Sequence, residues 1–332
     1  MGLSLSSRVA IMSGLRSWAQ LVRVPNTLTS CADVLAGMCL AGGFQHHFGF
    51  HPIPAIIASI ASICFYWGGM VLNDVFDVAQ DREQGRPGPL VTGKISTRSA
   101  AQAGMSLLIA GIALSILAPL GFTLSGEQVS LSQLVGPGMI GCFLAGAVYA
   151  YDGPAKKSIA APAIMGLCRS LNMALGVAVV AAVFPVTLGS ATGCVVIGHG
   201  MYITGLTIAA RREADLSQSR GRLALGWGIC AFGAAMIAIS CRFEPDRPYR
   251  LEPNGGFPLL VAILLLPLAR RAYHSIASLH PQHLGLAIKQ AILSILFIDA
   301  SIALQYAGNL PGICIALMVL PTVLLARWFR AT

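Results

Sequence analysis

Thirteen acidic residues occur in 332, and three stand together in the run Asn73-Asp74-Val75-Phe76-Asp77-Val78-Ala79-Gln80-Asp81. Spacings of three and then four place Asp74, Asp77 and Asp81 on one face of a helix; Asn73, four residues before Asp77, joins them. Three carboxylates on one face repel one another unless a cation lies between them. Their oxygens are hard donors suited to Mg2+, an ion that keeps several waters and bridges to substrate phosphates. Ordinary surface acids at a solvated helix end are the plainer alternative. That alternative fits poorly with a chain so short of acids that sets three of them directly after an apolar stretch.

Cations follow at once: Arg82, Arg86, Lys94 and Arg98. Loop charge bias in a membrane protein accounts for some of them. Guanidinium and ammonium groups beside a metal site are also what a bound diphosphate uses.

The elements that must position these residues are apolar. Charged residues make up 11% of the chain and apolar residues 55%, whereas a soluble domain has about 25% charged. So few charges cannot cover a water-facing surface. This argues against a soluble enzyme, a disordered regulator and a nucleic-acid binder, so the expected surroundings are a lipid bilayer, with no nucleic-acid partner. The net charge of +9 is dispersed in short patches, and 36 glycines suit close helix packing in lipid. Nine cysteines form no Cys-x-x-Cys pair, and they lie within apolar stretches, as small buried side chains do.

A crossing helix needs about 20 apolar residues. Candidates lie at roughly 27–44, 53–76, 99–121, 131–151, 160–184, 190–210, 223–241, 255–271, 286–307 and 310–328. The eighth is the weakest, with Pro258 and Pro267 in a short apolar core, and is either a crossing or a re-entrant segment. Lys and Arg alternate between loops: eighteen of 22 fall on one side, three on the other, and Arg169 lies within a stretch. The positive-inside rule then puts both termini and the acidic run on the cytoplasmic side, in a plasma or inner membrane. The expected fold is all-α, a polytopic membrane bundle of nine to ten transmembrane helices. It forms one domain over 1–332, with a cytoplasmic or interfacial segment at 1–22, a first half at 27–151 and a second at 160–328.

Arg23-x-x-Asn26 recurs as Arg169-x-x-Asn172, 146 residues later, and acidic clusters follow each. That echo suggests two pseudo-repeated halves. Arg169 and Asn172 lie inside an apolar stretch, where a charge faces a cavity or snorkels to the interface. Asp33 and Asp299 lie within the first and ninth stretches and either line a pocket or bond between helices. His46, His47 and His51 read as loop surface.

The run from Asn73 resembles the N-D-x-x-D-x-x-x-D motif of the UbiA family of intramembrane prenyltransferases. Arg82, Arg86-Pro87, Pro89-Leu90 and Gly93-Lys94-Ile95-Ser96 are similar to the family's continuation. Arg23-Val24-Pro25-Asn26 is similar to the start of its first helix, and Tyr151 with Lys156 to its residues before the fifth. The resemblance implies a helical bundle with a polar cavity on the cytoplasmic side, Mg2+, and a prenyl diphosphate whose chain lies in an apolar tunnel. It implies that Asp74, Asp77 and Asp81 hold Mg2+ with help from Asn73, and that Arg82, Lys94 and Lys156 contact diphosphate. Arg23, Asn26, Tyr151, Arg169 and Asn172 are candidate pocket residues.

The family's second motif, D-x-x-x-D, is degenerate here. Arg211-x-x-x-Asp215 keeps the spacing with Arg in the first place, and Glu213 sits off that face. Arg211 and Arg212 then offer a direct clamp for diphosphate, with Glu213 and Asp215 beside the pocket. The run from Thr204 to Glu213 is similar to the EboC-like branch. The leading expectation is Mg2+-dependent transfer of a prenyl group from prenyl diphosphate to a membrane-associated aromatic or lipid acceptor. The other is a UbiA-fold transporter, or a lipid- or prenyl-binding protein without turnover.

Overall fold

The computed structural model describes residues 14, 16–42, 51–186, 188–211 and 219–331, with side chains as far as 327. Among these residues every regular element is helical. The α-helices are α1 (Thr27–Leu40), α2 (Pro52–Glu83), α3 (Thr97–Leu117), α4 (Val135–Asp152), α5 (Ala161–Ala181) and α6 (Ser190–Ala210). They continue with α7 (Arg220–Ile239), α8 (Gly256–Ser278), α9 (Pro281–Ala307), α10 (Asn309–Leu317) and α11 (Val319–Ala331). Nine helical spans among the described residues are long and apolar enough to cross a membrane. Each of the ten apolar stretches contains a helix, the architecture of an integral multi-pass membrane protein.

Successive helices pack side by side from α1 to α9, and α9 returns to α1, closing a ring. Across it α1 touches α5. Bare backbone allows this approach: a Cβ on Gly37 would lie 2.0 Å from the Met173 carbonyl oxygen, and one on Gly176 would lie 2.0 Å from that of Val34. Small residues serve here because lipid supplies no hydrophobic drive between helices, leaving backbone proximity and dispersion to hold them.

Length places the acidic run. Pro52 and Pro54 start α2, where a missing N–H costs nothing. Its 32 residues extend about 48 Å, but the hydrocarbon core is only about 30 Å thick. Residues 52–72 are mostly apolar and suffice for the crossing; the turns from Asn73 onward project beyond it. α2 therefore carries its carboxylates at the membrane boundary on a rigid rod.

The eighth stretch takes the first of its two alternatives: it is one continuous helix of spanning length, α8, with Pro267 inside it; transmembrane helices tolerate such a proline where neighbours satisfy the freed carbonyl. His51 is buried, with its ring edge-on to Phe122 at 5.1 Å, rather than on a loop surface. His46 and His47 lie outside the described residues. The tenth stretch divides at Met318, because Pro321 has no N–H for the Leu317 carbonyl. Beyond the break, α11 packs against the 3₁₀ turn Val24–Asn26. This brings the end of the chain to the side of the ring that holds Arg23.

Candidate active site

A cavity of about 430 Å³ opens inside the ring. Arg23, Asn26, Tyr151, Asp152 and Arg169 supply polar groups to its wall, and Phe65, Met165, Leu206, Ile288 and Ile292 supply apolar ones. Of the seven pocket residues expected from the sequence, Arg23, Asn26, Tyr151, Arg169 and Asn172 line it, and Glu213 and Asp215 lie outside the described residues. The two halves of the echo reach it differently. Arg23 precedes and Asn26 ends the turn before α1, whereas Arg169 and Asn172 lie in the middle of α5.

Each carboxylate of the acidic run meets a cation. Arg23 Nη2 lies 3.4 Å from Asp74 Oδ1, Arg86 Nη1 lies 3.6 Å from Asp81 Oδ1, and Lys156 Nζ donates to Asp77 Oδ2 at 2.5 Å. The three carboxylate side chains are 27–28% exposed. Pairs this accessible contribute about 0–1 kcal/mol, so an incoming ligand exchanges them at little cost. Arg23 holds a left-handed backbone conformation, φ 50° and ψ 54°, uncommon outside glycine. Pro25, two residues on, prevents the preceding helical turn from running straight into α1. The Tyr66 hydroxyl donates to the Arg23 carbonyl at 3.3 Å, tying the bend to α2.

Asn73 Nδ2 donates to Asp152 Oδ1 at 3.0 Å, which leaves the Asn73 amide oxygen as the donor atom it can offer a metal. Asp152 is buried at the end of α4 and lines both the cavity and an adjoining groove with Asp77 and Lys156. Its signal in the sequence is an acid that ends an apolar stretch in a chain with few acids. Lys156, Lys157, Arg211 and Arg222 line a neighbouring hollow together with Gln80. Arg211 donates to the Ser158 carbonyl at 2.7 Å. Arg222 Nε and Nη2 are buried without hydrogen bonds among the described residues.

Other expected contacts lie elsewhere. Arg82 and Lys94 are exposed and line neither the cavity nor these grooves. Arg86 is the residue of that basic run that reaches the acids, because the turn after α2, with Gly85 at φ 64°, folds it back toward Asp81. Arg212, Glu213 and Asp215 lie outside the described residues. Asp33 takes the interhelical alternative: Arg169 Nη1 donates to its Oδ2 at 2.5 Å, and Asn172 Nδ2 does so at 3.1 Å. Arg169 thus neither snorkels nor stands alone.

The donor set suits Mg2+. It consists of hard carboxylate oxygens on one helix face, partly open, beside cations that can turn to an anion. Asp74, Asp77 and Asp81, with the Asn73 amide oxygen, are the residues that would hold it. The arrangement presents an acidic strip and a basic rim at the mouth of a largely apolar chamber. Such a site accommodates an ionised head outside and a hydrocarbon chain inside.

Known proteins resemble this chain in sequence and fold. The model of the UbiA prenyltransferase family matches residues 32–282. Digeranylgeranylglyceryl phosphate synthase of Methanocaldococcus jannaschii is 27% identical over 173 residues, 49% of this chain and 59% of that protein. The enzyme of the same name from Saccharolobus solfataricus is 32% identical over 103 residues, 31% of this chain and 35% of that protein. The chain thus aligns with less than two thirds of either relative. Among solved structures, one concerning digeranylgeranylglyceryl phosphate synthase in membranes superposes with a TM-score of 0.62 at 15% identity, covering 90% of this chain and 100% of that one. A UbiA homologue from Archaeoglobus fulgidus bound to DMAPP and Mg2+ gives 0.53 at 13% identity, covering 86% and 99%. At such identities the likeness is one of fold.

Proposed function

This chain belongs to the UbiA prenyltransferase family, and from that premise we propose that it transfers a prenyl group from a prenyl diphosphate to a membrane-associated acceptor, releasing diphosphate. The observation that carries the reading is the acidic face of α2, paired with Arg23, Arg86 and Lys156 at the mouth of the apolar cavity. Asp74, Asp77 and Asp81, with the Asn73 amide oxygen, would hold Mg2+, which would supply charge neutralisation at the leaving diphosphate. Arg23 and Lys156 exchange their carboxylates for diphosphate oxygens and fix the head of the donor. The apolar wall takes the prenyl chain and keeps water from its first carbon as the C–O bond breaks. Phe65, Tyr66 and Tyr151 line this space, and aromatic faces stabilise positive charge on carbon.

The proposed acceptor is lipid-soluble, and the names of the curated relatives favour a glyceryl phosphate lipid. On the run from Thr204 to Glu213 we place the chain beside the EboC-like branch. By the distribution of Lys and Arg, the acidic strip and both termini face the cytoplasm.

The test uses membranes containing the wild type or the Asp74→Asn/Asp77→Asn double variant, labelled geranylgeranyl or farnesyl diphosphate, Mg2+ and a lipid extract. A labelled lipid product that requires Mg2+ and is absent from the variant is expected. Full turnover by the variant refutes the assignment. Donor binding by the wild type without any product assigns the fold to binding or transport instead.

A further inference from the structure

The reaction proposed above leaves one cluster of ionisable side chains without a task. Asp33 on α1, His199 on α6 and Asp299 on α9 meet in the interior of the bundle, each fully buried. His199 Nε2 lies 3.5 Å from Asp33 Oδ1 and 3.3 Å from Asp299 Oδ1. A charge-assisted N–H···O bond is about 2.7–2.9 Å long. Among the described residues none of these three atoms makes a hydrogen bond, and neither do His199 Nδ1 and Asp299 Oδ2. Buried polar atoms left this way cost about 1–3 kcal/mol each, so a cluster of them calls for a ligand.

The atoms face one another without a direct hydrogen bond, at a spacing right for an ion. Zinc–ligand bonds of about 2.0–2.1 Å in a tetrahedron set neighbouring donors about 3.3 Å apart. We propose that Asp33, His199 and Asp299 form an intramembrane site for a divalent first-row transition ion, separate from the acidic strip on α2. An imidazole nitrogen with two carboxylates favours such an ion over Mg2+ or Ca2+, which prefer oxygen shells. The surroundings prepare the site. Arg169 and Asn172 both bond Asp33 Oδ2, which holds the carboxylate in place and leaves Oδ1 for the ion.

Arg169, whose side chain is 17% exposed at the cavity wall, pairs with Asp33 and links the cluster to the cavity. Arg169 and Asn172 line the cavity, so the ion reaches the site from there.

The experiment uses the purified full chain in detergent, stripped with chelator and titrated with Co2+, then with Zn2+. One equivalent of Co2+ with the ligand-field absorption of nitrogen and oxygen donors, displaced by Zn2+, is expected. The Asp74→Asn/Asp77→Asn variant keeps that signal, whereas His199→Ala and Asp299→Asn lose it by at least tenfold in affinity. A wild type that gives no stoichiometric cobalt spectrum overturns the proposal without recourse to any variant. So does a spectrum that survives in folded His199→Ala, or one lost in the Asp74→Asn/Asp77→Asn variant. The reading does not depend on prenyl transfer, and its failure leaves that function untouched.

Discussion

Replacing Gly37 by alanine should loosen the centre of the molecule. The new Cβ would meet the Met173 carbonyl oxygen at 2.0 Å and its carbon at 2.9 Å, both backbone atoms that no rotamer change can move. α1 and α5 then have to part by about 1 Å before the contact becomes tolerable. Two buried bonds cross the same gap: Asn172 Nδ2 donates to the Ser30 carbonyl at 2.8 Å, and Arg169 Nη1 to Asp33 Oδ2. Parting the helices stretches the first beyond bonding distance. Overpacking costs about 1–3 kcal/mol and a stranded buried amide about 1–3 kcal/mol more. Together they correspond to a fall of roughly 5–15 °C in apparent Tm. The assay is heating of detergent-solubilised protein followed by size-exclusion analysis of the surviving peak. Gly146→Ala is the control, because nothing lies within 4 Å of its new Cβ, and it should change stability by less than about 1 kcal/mol. Equal melting of Gly37→Ala and the wild type would refute the argument that bare backbone sets the α1–α5 distance.

Lys156→Ala should raise KM for the prenyl diphosphate about tenfold while barely moving Tm, since its pair with Asp77 is partly exposed; an unchanged KM removes Lys156 from the donor site. A double-mutant cycle on Asn73→Ala and Asp152→Ala should give a coupling energy of about 1–3 kcal/mol in thermal stability, and additive losses would show that their bond holds nothing. Glu252 accepts from the backbone N–H groups of Asn254, Gly255 and Gly256 at the start of α8, which holds its carboxyl below the usual value of 4.5. Its contribution is therefore present above about pH 4.5 and disappears as pH falls through the lower folded value. Protection factors for hydrogen exchange at residues 254–257, taken relative to the intrinsic rate at each pH, should fall on acidification in the wild type and be low at every pH in Glu252→Leu; a flat wild-type profile contradicts this.

Much of the architecture can be read along the chain because it depends on local composition. Stretches near membrane thickness must be helical in lipid, where backbone polar groups find no water. The 3,4 spacing of Asp74, Asp77 and Asp81 follows from helix periodicity alone, as does their place just past the apolar length of α2. Neighbouring residues determine these features, so they survive without knowledge of packing.

The partners of those residues come from tertiary structure. Asn73–Asp152 and Asp77–Lys156 each join positions 79 residues apart, and Arg169–Asp33 joins positions 136 apart. No periodicity encodes such separations; they depend on which helices are neighbours in the ring. Arg86 rather than Arg82 reaches Asp81 because the chain turns at Gly85, beyond the reach of a helical face count. His199 stands alone in its apolar stretch and has no acidic neighbour along α6. Its carboxylates arrive from α1 and α9 only when the ring closes. Helix periodicity relates residues a few positions apart, whereas ring closure joins side chains from different helices.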